Sequence, residues 1–171
     1  MGEIHIYDDI LTPSEKLEIS YAGKNPFLPM TATPSIIKEV LKNQSKDIHE
    51  FDVRWDGAGE NRDFFGRWKT RRKEDQWTAV NIFITVTGTI KAADKTGNVK
   101  IAIKGYLETR YSFSNFIQKS FWWFYNYSFY FKQRRMYLEF AKDNMHDLKF
   151  KFQELMGISP DKYLERPASG Q

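Results

Sequence analysis

The chain has no cysteine among its 171 residues, which excludes disulfides, thiolate nucleophiles and cysteine-ligated zinc. Its three histidines are His5, His49 and His146, and no two stand at the spacing by which one helix presents a pair of metal ligands. Asp143 and His146 are one helical turn apart and read as a pair on a solvated face. There is no Gly-x-Ser-x-Gly elbow, and Gly57-Ala58-Gly59 falls in a hairpin turn rather than ahead of a helix, so neither the nucleophile-elbow pattern nor a Gly-rich phosphate cradle is present. Asp52, Asp56, Glu60 and Asp63 cluster near that turn, with no sign that any is buried. The expectation is a binding protein with no catalytic residue, no metal and no cofactor. The first residues lack a basic stretch and an apolar run, so no secretory signal is expected, and Gly2 lacks the downstream Ser or Thr of a myristoylation signal. The expected location is the cytoplasm, with peripheral contact to a membrane as the alternative.

Long aliphatic runs are also missing. The hydrophobic fraction is 41% and aromatics make up 16%, so the apolar material is weighted toward large flat side chains. Lys and Arg number 26 against 22 Asp and Glu, for a net charge of +4, a mild excess that permits contact with RNA or anionic lipid without requiring it. The length suits one domain. Residues 1–158 are expected to form it, and 159–171, polar with Pro167 and Gly170, to form a flexible tail.

Read in order, the chain starts with two period-2 segments, one around Ile4 and Ile6 and one through Leu17, Ile19 and Tyr21, which predict strands. Thr33 before Pro34 reads as an N-cap with proline in the first turn, opening a short amphipathic helix from Pro34 to Asn43, with Pro26–Met30 as a turn or short helix ahead of it. From Ile48 to Tyr111 the pattern is alternating strands joined by short turns, which makes them sequential antiparallel neighbours with one buried face. Gly66, Gly88 and Gly105 all fall on the apolar parity of their strands. Glycine there lets a sheet bend or another element approach closely, so a strongly curved sheet is expected. After Ser112 and Ser114, both candidate N-caps, nothing breaks a helix until Gly157 and Pro160. This predicts either one long helix or two with a bend between Ser120 and Arg134, ending at a glycine C-cap.

The most unusual stretch is Phe121–Phe131, in which nine of eleven residues are aromatic. A membrane span would need about 20 apolar residues, and Phe113–Phe131 contains Asn115, Gln118, Lys119 and Asn126. On a helix, Asn115, Gln118, Lys119, Asn126 and Gln133 gather on one strip, with Phe116, Ile117, Phe124, Tyr127 and Phe131 opposite. Leaving so many aromatics in water is unfavourable by about 1.5–3 kcal/mol each, so a helix buried on several sides is expected, with a ligand cavity, a dimer interface or a membrane surface as the other ways to cover it.

Basic residues form two groups. Arg67, Lys69, Arg71, Arg72 and Lys73 sit on or beside a strand with Trp68 interleaved, and Lys132, Arg134 and Arg135 follow the aromatic stretch. Basic and aromatic side chains together suit RNA or single-strand binding and equally an anionic membrane. A solvated face balanced by Glu74, Asp75 and Glu108 is the plainer alternative.

The order of strands, a helix, antiparallel strands and a long C-terminal helix over residues 15–157 resembles the helix-grip architecture of the START and polyketide-cyclase superfamily. Trp122-Trp123 followed by Tyr130-Phe131-Lys132-Gln133-Arg134-Arg135-Met136-Tyr137 is similar to the end of prokaryotic members, archaeal ones among them. The resemblance implies an α+β fold in which a curved antiparallel sheet wraps a helix at residues 133–156. It also implies an apolar or lipid-like small molecule held between them by Trp55, Trp68, Ile84, Leu107, Tyr111, Phe124, Tyr137 and Phe140, with 113–131 as an added aromatic element. Two departures from the pattern are the strand count, five or six against a usual seven, and the extra helical length. The alternatives are an RNA, ribosome or anionic-membrane module using the two basic groups, and a homodimer made through the aromatics.

Overall fold

The computed structural model of the chain describes residues 2–159; residues 160–171, most of the expected tail, lie outside them. Six strands form one antiparallel sheet: β1 (Gly2–Asp9), β2 (Leu17–Lys24), β3 (Ile48–Trp55), β4 (Asn61–Lys73), β5 (Thr78–Lys91) and β6 (Thr96–Phe113). Their order is β1–β6–β5–β4–β3, and β2 also pairs with β6. β1 lies along residues 106–113 of β6 and β2 along residues 96–103. The two short strands therefore make one interrupted edge, and at the interruption Ile10 and Leu11 turn into the core.

Helix α1 (Leu28–Leu41) links β2 to β3. A continuous helical tract then runs from Phe116 to the C-terminal end of the fold: α2 (Phe116–Tyr125), a π-helical turn (Asn126–Tyr130) and α3 (Phe131–Leu155). α1 and α3 pack against each other, α3 against β2 and β6, and α1 against β4. The arrangement is the expected α+β one, a curved antiparallel sheet gripping a long C-terminal helix.

The strand alternation sorts as period 2 requires. Phe64, Trp68, Ile82, Ile84, Val86, Ile101, Ile103 and Leu107 face inward and meet Ile37 and Leu41 of α1 and Met145, Leu148 and Phe152 of α3. The inward glycines make room for the largest of these. A Cβ at Gly66 would lie 2.4 Å from the Trp68 ring and 2.7 Å from Met30 Sδ, and one at Gly88 would lie 2.4 Å from the Phe64 ring.

Two helix starts differ from expectation. α1 begins at Leu28, so Thr33 is an interior residue whose hydroxyl donates to the Pro29 carbonyl at 2.6 Å. Met30, Thr33, Ile36, Ile37 and Leu41 are all buried, and packing of that continuous face outweighs the break that Pro34 signals locally. The C-terminal tract is capped by Asn115, whose side chain accepts from Gln118 N–H at 2.8 Å, rather than by Ser112 or Ser114. Its other end is as expected. Gly157 has φ +65°, its N–H donates to Glu154 O and that of Ile158 to Gln153 O, a Schellman ending.

Candidate functional site

The aromatic stretch is helical, as its polar strip implies, but it faces the other way. Phe116, Ile117, Phe121, Phe124, Tyr127, Phe129 and Phe131 are all more than half exposed, Tyr127 at 87%. The expectation of a helix buried on several sides is therefore corrected. The side that docks is Trp122, Asn126, Tyr130 and Arg134. In an α-helix each step of four residues overshoots a full turn by about 40°, and the wider π-helical turn takes up part of that drift and keeps the four in line.

This docking stripe is held by polar contacts and one aromatic stack. Trp122 stacks on Tyr111 with centroids 4.9 Å apart. Arg134 pairs with Asp8 of β1. The Tyr130 hydroxyl lies 2.7 Å from Asp75 Oδ2 and 2.5 Å from Thr78 Oγ1, which in turn lies 2.9 Å from Thr109 Oγ1. A carboxylate can only accept, so Tyr130 donates to Asp75, accepts from Thr78, and Thr78 accepts from Thr109. Burial, reinforced by the neighbouring Asp75 carboxylate, raises the Tyr130 pKa far above the ordinary tyrosine value, so the phenol stays a donor.

The aromatic part of the tract and the residues flanking it carry charge of one sign. Residues 109–138 contain no Asp or Glu and five cations: Arg110, Lys119, Lys132, Arg134 and Arg135. Arg110 and Arg134 are engaged by Glu108 and Asp8. Lys119 lies over the Phe113 ring, and Lys132 and Arg135 point into solvent beside the aromatics. Phe116, Ile117, Ser120, Phe121 and Phe124 line a shallow apolar hollow of about 460 Å³ on this surface.

The basic groups seen in the sequence are distributed over three places. Arg67, Lys69 and Arg71 face outward on the sheet's solvent side, whereas Arg72 points to the helical side, bonded to Glu74 at 2.8 Å with its guanidinium over Phe140. Arg134 is buried, leaving Lys132 and Arg135 with the aromatic helix. The outward cations lie on rings: Arg67 over Phe51 and Phe65, Arg54 over Phe65, and Lys69 over Phe83, each 5.4–5.7 Å from the centroid. Among them Glu108 is 4% exposed and receives Arg110 at 2.6 Å, with Arg71 at 4.0 Å and His5 at 3.9 Å. Burial pushes its pKa up, but Arg110, the Tyr7 hydroxyl and Arg71 outweigh that and hold it below the usual glutamate value.

The eight side chains named for a ligand are spread over the molecule. Trp68, Ile84 and Leu107 pack within the core, and the Trp68 indole N–H donates to Glu50 at 3.1 Å. Trp55 stands at the rim against Phe27 and Phe64. Tyr111 lies under Trp122, Tyr137 is partly buried on α3, and Phe124 and Phe140 are exposed. Asp75, Trp77 and Tyr130 were missed as site residues. The available signal was the four-residue spacing of Trp122, Asn126, Tyr130 and Arg134, which places Asn126 and Arg134 on the docked side. Among the described residues no three His, Asp or Glu side chains converge as a metal site requires, and no helix is long and apolar enough to cross a membrane.

No family model matches the chain, and no curated protein does. Solved structures with some likeness include a Staphylococcus aureus protein of unknown function, at 11% identity and a TM-score of 0.25, covering 88% of this chain and 98% of that one. A putative uncharacterized protein from Rhizobium leguminosarum has 8% identity and a TM-score of 0.22, covering 88% of this chain and 99% of that one.

Proposed function

We propose that the protein binds an anionic membrane surface peripherally, laying the helical tract from Phe116 to Phe131 into the lipid interface. The observation that carries this reading is the concentration of exposed Phe, Tyr and Ile side chains on one element within a 30-residue window that has cations and no acid. Tyr and Trp rings favour the headgroup level of a bilayer, and Phe suits the apolar face of an interfacial helix. An interfacial helix gains from apolar burial and from attraction of Lys and Arg to anionic lipid, the latter about 1 kcal/mol per residue near the surface. The same charge pattern disfavours a second copy as occupant, because pairing two such helices brings Lys119, Lys132 and Arg135 together with no acid on either tract.

The lipid-like partner suggested by the helix-grip resemblance is then met on the outside of the helix. The space between sheet and α3 is occupied by Trp68, Ile84, Leu107, Met145, Leu148 and Phe152. A second reading, single-stranded RNA on the outward sheet face, is favoured by the rings of Phe51, Phe65 and Phe83 beneath Arg67 and Lys69. Bases stack on such rings while cations track the phosphates.

Cosedimentation with vesicles of increasing phosphatidylglycerol content, and a parallel titration with single-stranded RNA, separate the two across a salt series. Binding to vesicles that rises with anionic lipid and is lost in a Phe121→Ser/Phe124→Ser variant supports the membrane reading. RNA binding alone, or self-association in sedimentation with no vesicle binding, overturns it.

A further inference from the structure

A cleft lies where the π-helical turn faces the β4–β5 turn. Asp75, Gln76, Trp77, Tyr125, Phe129, Tyr130 and Gln133 line its volume of about 280 Å³. Trp77 stands at 90° to Tyr130, with centroids 5.1 Å apart, and at 67° to Tyr125, 5.9 Å away. Tyr125 and Tyr130 are nearly parallel at 6.2 Å, and Phe129 extends their wall 6.0 Å from Tyr125. The π-helical turn makes this wall. Residues five apart on an α-helix are separated by about 140° around the axis, whereas π-type bonding brings positions i and i+5 together. Tyr125 and Tyr130 are such a pair.

The carboxylate in the cleft is oriented but not neutralised. Asp75 Oδ1 accepts from the backbone N–H of Trp77 at 2.8 Å and of Thr78 at 2.7 Å, and Oδ2 accepts from Tyr130 at 2.7 Å. Among the described residues no Lys, Arg or His makes an ion pair with it, and none lines the cleft. We infer that this corner of aromatic rings and one carboxylate binds an alkylated ammonium group. The ring faces and the carboxylate both attract positive charge. A divalent cation would need several oxygen ligands, and bare ammonium would lose hydration that one carboxylate with three bonds already made replaces poorly. An alkylated cation gives up little water and presents methyl groups to the rings. The cleft falls below the range of about 300–1,000 Å³ that holds a whole drug-sized ligand, so it takes a group, not a large molecule.

This site stands independently of the membrane reading, and its ligand has two sources: a lipid headgroup such as choline, or a free methylated amine. The test titrates the full chain with tetramethylammonium chloride against ammonium chloride at constant ionic strength, following the Trp77 indole N–H resonance. The expected result is a saturable shift with tetramethylammonium only. Asp75→Asn keeps Oδ1 for the two backbone donors while removing the charge, and should weaken binding by about tenfold, the equivalent of about 1.4 kcal/mol. Phe129→Leu, at an exposed position, should weaken it with the melting temperature unchanged. No saturable shift, equal response to ammonium, or undiminished binding in both variants overturns the inference. Competition by tetramethylammonium against phosphocholine vesicles but not phosphoglycerol vesicles assigns the headgroup source, and competition against neither assigns the free amine.

Discussion

Glu108 holds a negative charge where little water reaches it, with its side chain 4% exposed on the outward side of the sheet. Arg110, Tyr7 and Arg71 lower its pKa against the push of burial. A carboxylate whose folded pKa is depressed contributes stability above its unfolded pKa, about 4.3 for glutamate, and loses it as pH falls through the folded value. Stability of the native chain should therefore decline as pH falls below about 5. Glu108→Gln should remove part of that decline while lowering stability at pH 7 by about 1 kcal/mol. Chemical denaturation at pH 7 and pH 4 measures both effects, and a variant with an unchanged pH slope would contradict the assignment. At this scale much was legible in the sequence. The inward parity of Gly66 and Gly88 was readable from alternation alone. That Trp68 and Phe64 occupy the space left by those glycines was not, because strand registers across the sheet set those contacts.

The helical tract from Phe116 to Leu155 has two halves held by different means. Ala141, Met145, Leu148 and Phe152 of α3 are fully buried in the core. The aromatic half docks through Trp122, Asn126, Tyr130 and Arg134, and the Trp122 indole N–H, the Asn126 side-chain oxygen Oδ1 and Arg134 Nε are buried without hydrogen-bond partners in the protein. Unsatisfied buried groups destabilise by about 1–3 kcal/mol each, so amides of residues 116–130 should exchange through openings at least about 2 kcal/mol less costly than those of residues 141–155. Equal protection in native-state hydrogen exchange would mean that the two halves open as one unit. The helix and its glycine ending were expected, with one long helix and two helices bent between Ser120 and Arg134 left as alternatives; the tract is continuous, and its π-helical turn falls in that interval. Its facing was not expected, because hydrophobic periodicity assumes that the apolar side turns inward. Here the inward side is chosen by Tyr111, Asp8, Asp75 and Thr78, which lie far away in sequence.

For the molecule as a whole, the antiparallel sheet and the long C-terminal helix were legible from period and turn spacing, while the gripping of one by the other was implied by the helix-grip resemblance. The candidate site was only partly legible. The aromatic tract was singled out, but its exposure depends on the core already being filled by Trp68, Leu107, Met145 and Phe152. That filling leaves the exposed rings as the main apolar surface offered to a partner. Because the chain has no cysteine, a single one can be placed and labelled anywhere. The most direct test compares nitroxide probes at Phe124→Cys, on the exposed helix, and at Lys69→Cys, on the outward sheet face. Each is measured with phosphatidylglycerol vesicles for collision with oxygen, which concentrates in the acyl region, and with a water-soluble nickel complex. The account predicts that the probe at 124 becomes accessible to oxygen and shielded from nickel on adding vesicles, while the probe at 69 does not change. A probe at 124 that stays fully accessible to nickel while the protein is vesicle-bound would contradict it.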